Sequence, residues 1–102
     1  MKRIVVLFNL KDAGSVAEYE AWAQSTDLPT VNALESVDAF TVHRATGLLG
    51  SDAAPPYEYI EIIDVNDMAV FGDEVATDTM RKVAGEFQSF ADSPVFMLTD
   101  SL

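Results

Sequence analysis

The sequence predicts an α+β fold in which a four-stranded antiparallel sheet carries its helices on one face. Three observations predict it. Four short runs of β-branched and aromatic residues are separated by two stretches of helical periodicity, in the order β-α-β-β-α-β. The 102 residues make one domain's worth of chain, here read as a single domain over 1–102. A chain of this length buries about 65% of its unfolded surface, enough for one sheet with a helical layer and too little for two cores.

Ile4 to Phe8 is the first strand, bounded by Asn9 and by Lys11-Asp12-Ala13-Gly14. Ser15 stands three residues before Glu18, the spacing of a capping box, so a helix is expected to start there. Val16, Tyr19, Trp22 and Ala23 recur at helical spacing, and Pro29 is expected to interrupt the run before a further helical turn over Thr30 to Leu34. Val37 to Thr46 and Tyr57 to Val65 read as strands two and three, joined by the Gly-, Pro- and Ala-rich loop Gly47 to Pro56. Asn66-Asp67 cap a second helical region that restarts near Thr77-Asp78 and runs to Phe90. Asp92-Ser93-Pro94 ends it, and Val95 to Leu98 is the fourth strand. This order is the split βαβ, or ferredoxin-like, arrangement. Its two halves echo each other, with Thr26-Asp27 matching Thr77-Asp78.

The first strand is apolar on both parities, and the third sets Ile63 opposite Ile60 and Ile62. The face away from the helices therefore also needs cover, and one chain has no element left to supply it. A homodimer packed sheet to sheet is the expected solution.

Composition removes several chemistries. Without cysteine there is no disulfide framework, thiolate nucleophile, iron–sulfur cluster or cysteine zinc site. One histidine cannot build a site of several imidazoles, so no metal is expected. Six Lys and Arg against seventeen Asp and Glu give a formal charge of −11, which repels phosphate backbones and anionic lipid. Nucleic acid and membrane are excluded as expected partners. No stretch approaches the ~20 apolar residues of a membrane span, and Met1 to Phe8 lacks the cleavage site of a signal peptide, so the expected location is the cytoplasm. The glycines at 47 and 50 form neither a dinucleotide fingerprint nor a phosphate loop.

His43 is the one side chain whose ordinary pKa lies near neutrality, which makes it the first candidate for moving a proton. A half-exposed, structurally bonded histidine is an equal alternative. Thr41 shares its strand face. A hairpin symmetric about Asp52 sets His43 across from Glu61, where a carboxylate would orient the ring; a slip of one residue would break the pair. Glu61 taken alone fits a solvated strand face as well as a pocket. Asn9 is either a ligand-binding amide or the closure of a strand-end turn. Tyr19, Trp22 and Tyr59 offer aromatic walls suited to a flat heteroaromatic ligand, or ordinary core packing.

Met1 to Leu10, Asp27 to Leu34, Phe40 to Arg44 and Glu58 to Glu61 together resemble the RedY-like HapK family, and the match runs over essentially the whole chain. The resemblance implies membership of the dimeric α/β-barrel superfamily and a tailoring role in prodiginine or bisindole biosynthesis. Relatives in that superfamily include cofactor-independent monooxygenases, isomerases and decarboxylases, so the fold does not select the reaction. No catalytic residue is carried over from the resemblance. The leading expectation is an enzyme free of metal and organic cofactor that acts on a pyrrole- or indole-derived intermediate, with His43 as acid/base and Glu61 or Asn9 orienting the polar end. The alternatives are a non-catalytic protein that binds or delivers such an intermediate, and a cofactor-free aromatic monooxygenase.

Overall fold

A computed structural model describes residues 2–102. The strands are β1 (Lys2–Leu10), β2 (Val37–Arg44), β3 (Tyr59–Val65) and β4 (Ala91–Thr99). They form one antiparallel sheet in the order β2-β3-β1-β4. A 3-10 turn (Ala13–Ser15) leads into α1 (Val16–Trp22), a π-helical turn (Ala23–Asp27) and α2 (Leu28–Asn32); α3 (Met68–Val75) and α4 (Asp78–Phe90) form the second helical stretch. The α+β ferredoxin-like expectation holds, with the helices on one face of the sheet.

Alternation along the strands decides which residues those helices cover. Ile4, Val6, Phe8 and Leu10 on β1 and Tyr59, Glu61 and Val65 on β3 are buried. An aromatic knot ties the layers together: Phe8 stacks on Tyr59 at 5.4 Å, Phe87 meets Phe8 edge-on at 4.9 Å, and Tyr19 meets Tyr59 edge-on at 4.8 Å. A second cluster of Val31, Val37, Phe40 and Met80 fills the β2 side. There Asn32 uses both ends of its amide on the Phe40 backbone, at 2.9 and 3.0 Å, satisfying an edge strand that has no further neighbour.

Four local expectations are corrected. Ser15 does not cap α1: its hydroxyl donates to the Asp12 carbonyl, and Asp12 instead accepts from the Gly14 N–H, because the intervening 3-10 turn takes the capping geometry away from Ser15. Pro29 does not interrupt the helix. It sits in the first turn of α2, after a π turn in which the Leu28 N–H reaches back to the Ala23 carbonyl, and a first turn has no need of the proline's missing N–H. Asp92-Ser93-Pro94 is not a break before the last strand but part of it. Asp92 pairs with Asn9, and Ser93, at φ 46°, forms a bulge that places Pro94 on an edge strand, where a lost donor is tolerated. Strands two and three are also shorter at the loop, ending at Arg44 and beginning at Tyr59, because Asn9 holds the loop's far end to β1.

The echo between the two halves is only partial. Asp67 caps α3 through the Ala69 and Val70 N–H groups, and Thr77 caps α4, whereas Asp27 caps nothing and is buried.

Candidate acid pocket between helices and sheet

The β2–β3 register decides which residues can act together. Val42 pairs with Glu61, and His43 pairs with Ile60, one residue off the symmetric hairpin. The expected His43–Glu61 pair is therefore not formed. The two side chains lie on opposite faces, since a slip of one residue reverses every side chain. The cause lies in the loop, which is not symmetric: Leu48 and Ser51 form a small bridge at its tip, and Asn9 ties down Pro56 and Glu58.

Glu61 lies on the helix-covered face with 5% of its surface exposed, and Asp27, in the π turn above it, is also at 5%. Neither takes part in an ion pair among the described residues. Burial pushes the Asp27 carboxyl up to about 7. Burial, reinforced by the charge of Asp27, pushes Glu61 up to about 8, with the Tyr19 hydroxyl pulling slightly the other way. Tyr19 is itself pushed well above the usual phenol range by burial and by both carboxylates. Its hydroxyl and Glu61 Oε2 are near enough to feel each other, yet both lack a hydrogen bond. Three acidic or hydroxylic groups are thus gathered in the core, two of them, Tyr19 and Glu61, with unfilled bonding capacity, an arrangement that costs stability and is found at functional sites.

A cleft of about 180 Å³ opens between α1 and the π turn on one side and β2–β3 on the other; it meets this group through Tyr19, and neither Asp27 nor Glu61 is among its walls. Tyr19, Ala23, Leu28, Val42 and Tyr59 form its walls. At the rim, Glu20 Oε2 accepts from the Tyr59 hydroxyl at 2.7 Å and pairs with Arg44 at 3.0 Å, which fixes α1 to both strands. A cavity of roughly 150 Å³ holds a benzene ring, so this one suits a single ring system rather than two.

The remaining sequence candidates are divided between the two faces. Trp22 packs on Tyr19 and Phe90 and donates to Glu86 at 3.2 Å, behind the cleft. Asn9 commits both ends of its amide to the far end of the β2–β3 loop, at Pro56 and Glu58, rather than to the turn that follows its own strand. His43 is exposed on the outer face, with Nε2 3.0 Å from the Thr41 hydroxyl. Nearby, a more open apolar hollow of about 370 Å³ is lined by Leu7, Leu48, Pro55, Pro56, Tyr57 and Ile60. Among the described residues, no group of three or more His, Asp or Glu could hold a metal, and no helix is long and apolar enough to cross a membrane.

Asp27 is the site residue that sequence reasoning missed. The signal was present: Tyr19, Ala23, Asp27 and Val31 recur at intervals of four and are all buried, so Asp27 is a charge set into an apolar stripe.

Comparison with known proteins agrees with this architecture. The sequence matches the family described as REDY-like protein HapK over residues 2–102. The chain belongs to that family. The crystal structure of HapK from Hahella chejuensis shares 31% identity, with a TM-score of 0.79 over 100% of this chain and 93% of that one. Two more distant structures share the fold alone. A protein from Arabidopsis thaliana has 17% identity and a TM-score of 0.80, covering 100% of this chain and 96% of its own. SnoaB, a cofactor-independent oxygenase from Streptomyces nogalater seen as an asparagine-to-alanine mutant, has 16% identity and a TM-score of 0.74, covering 98% and 91%. No curated protein sequence matches. Within the HapK family, then, this chain carries a buried Asp27–Glu61 pair beside a ring-sized cleft.

Proposed function

We propose that this HapK-family protein is a small-molecule tailoring enzyme of secondary metabolism, of the prodiginine or bisindole kind. In this reading it takes one ring of a pyrrole- or indole-derived intermediate into the cleft between helices and sheet. The Asp27–Glu61 pair moves a proton at that ring, without metal or organic cofactor. The single observation that carries this reading is the Glu61 carboxyl, 5% exposed, with Oε2 unpartnered beside a second buried acid. A carboxyl held near 7 to 8 can both give and take a proton at working pH, which is what general acid/base catalysis requires. The aromatic walls Tyr19 and Tyr59 would hold the ring flat, and Trp22 would stiffen Tyr19 from behind.

A second reading rests on the outer face. His43 and Thr41 stand beside the apolar hollow, and Val5, Leu7, Ile60, Ile62, Val95 and Met97 share that face. Two copies packed through it would enclose His43 in an intersubunit barrel, where it could serve as the acid/base.

Turnover of pyrrolic and indolic intermediates by Glu61→Gln and His43→Asn variants separates the two. The first reading expects Glu61→Gln to lose a factor of ~10² or more in kcat and His43→Asn to stay within a few-fold; the reverse pattern transfers the chemistry to the outer face. Loss of product only under anaerobic conditions would select the monooxygenase alternative. Binding without turnover by the unaltered protein would select a delivery protein.

A further inference from the structure

The mouth of the cleft between α1 and β2–β3 carries a charge pair left half open, and what it leaves open describes a ligand; the inference rests on the cleft being the ligand site. Ala23, Leu28 and Val42 make the walls apolar, while Glu20, Gln24 and Arg44 bring charged and amide groups. Tyr59, 2% exposed, donates its hydroxyl to Glu20 Oε2 at 2.7 Å, and the same oxygen stands 3.0 Å from Arg44 Nε. A single carboxylate oxygen thus carries both contacts. Among the described residues, Glu20 Oε1 and the terminal nitrogens of Arg44 make no hydrogen bond. The Arg3–Asp64 pair on the outer face is built differently: there Nε and Nη2 reach separate carboxylate oxygens, at 2.7 and 3.1 Å, and the fork is closed. At the cleft the fork is open. An acceptor and several donors stand next to one another, on a carboxylate that a buried tyrosine holds in place.

Each class of polar group meets this mouth differently. A ligand carboxylate could take the Arg44 nitrogens but would set its charge against Glu20, and an ammonium would be drawn to Glu20 and repelled by Arg44. A neutral ring with N–H and C=O on adjoining atoms meets both at once, its N–H donating to Glu20 Oε1 and its oxygen accepting from an Arg44 terminal nitrogen. We propose that the cleft selects neutral nitrogen rings that carry N–H and C=O side by side, such as a pyrrole- or indole-derived lactam. The ring lies inward among Ala23, Leu28 and Val42, and its polar edge faces outward on Glu20 and Arg44. These two side chains set the specificity. Tyr59 is a positioning residue, which holds the Glu20 carboxylate at the mouth.

Four single-ring probes, titrated into the full chain and followed by NMR chemical shifts, test this. They are 2-pyridone, with N–H and C=O adjacent; its isomer 4-pyridone, with the two at opposite ends; benzoate; and benzylammonium. 2-Pyridone is expected to bind at least about tenfold tighter than 4-pyridone, the worth of one hydrogen bond to a charged group, and tighter than either ion. Glu20→Leu should bring the two pyridones to equal affinity, and Arg44→Met, at an exposed side chain, should do the same if the first variant folds poorly. Tyr59→Phe should narrow the preference several-fold by releasing Glu20 while 4-pyridone still binds, and Leu28→Trp should block the cleft to both isomers. If the pyridones bind equally, or an ion binds tightest, and Leu28→Trp abolishes that binding, the cleft remains the ligand site and the donor–acceptor assignment falls. A preference for 2-pyridone that survives Leu28→Trp belongs elsewhere on the surface and overturns the assignment. No binding by any of the four overturns both the assignment and the reading beneath it.

Discussion

Val5 and Val6 are neighbours on β1 with the same side chain and opposite surroundings. Val6 has no exposed surface beneath the helices, and around it the core holds two carboxyls and a tyrosine hydroxyl. Val5 is only half-buried, on a face where Leu7, Ile60 and Ile62 are half-buried too and Val95 and Met97 are exposed. The covered face is an apolar, aromatic core that nonetheless encloses two carboxyls and a hydroxyl, and the open face, besides Arg3, Thr41 and His43, leaves apolar side chains uncovered. Each face is thus incomplete in its own way. The inner one has bonding capacity without partners, and the outer one has apolar area without cover.

Charge placed on either side of β1 should sharpen the contrast most. Val6→Asp buries an unpaired carboxylate, a loss of ~3–5 kcal/mol in a domain of this size, so a collapsed near-UV spectrum and loss of cooperative melting are expected. Val5→Asp should keep the native spectrum. If two copies meet through the outer face, light scattering will show the unaltered protein as a dimer and Val5→Asp as a monomer; a mass unchanged by the substitution removes that face as the interface.

Titration should give the next largest effect. Asp27 and Glu61 have pKa values above those of the unfolded chain, so the native state binds more protons between pH ~4 and ~8. Stability contributed this way is fully present below about pH 4 and is lost as pH rises through 7 to 8. The melting temperature of the ligand-free protein should fall by something like 10 °C from pH 5.5 to 8.5. Glu61→Gln should flatten most of that slope. An equal slope in Glu61→Gln would place its origin in the general negative charge of the surface.

The smallest effect belongs to Thr41→Val, which removes the hydroxyl partner of an exposed ring. Its melting temperature should move by only a few degrees, while the His43 imidazole resonances report the lost hydrogen bond by NMR. A large destabilisation would mean that His43 and Thr41 are covered in solution.

Most of the architecture was legible because periodicity reports burial directly. The strands β1 and β3, the Asp67 cap and the restart of the second helical stretch at Thr77-Asp78 could all be read from the spacing of apolar residues and breakers, whereas the first stretch divides at a π turn and not at Pro29. The pairing of His43 with Glu61 could not, because register across a long loop depends on tethers such as Asn9 to Glu58, which join residues far apart in the chain. Glu61 was found for the wrong neighbour. Asp27 was passed over because an aspartate beside Leu28-Pro29 looks like a helix start, and only its place on the Tyr19-Ala23-Asp27-Val31 stripe reveals otherwise.

That stripe stays straight because of the π turn. A regular α-helix advances 100° per residue, so positions four apart drift round the axis, and a wider turn takes up the drift. In terms of insertions and deletions, the acid pocket is therefore one residue deep. Removing Gln24 would let the segment close as an ordinary helix with Ala23 and Asp27 three positions apart instead of four, about 60° off a common line. Among relatives that share the sheet, chain length between Trp22 and Pro29 becomes a marker of which ones can build the pocket, readable from a single gap in an alignment.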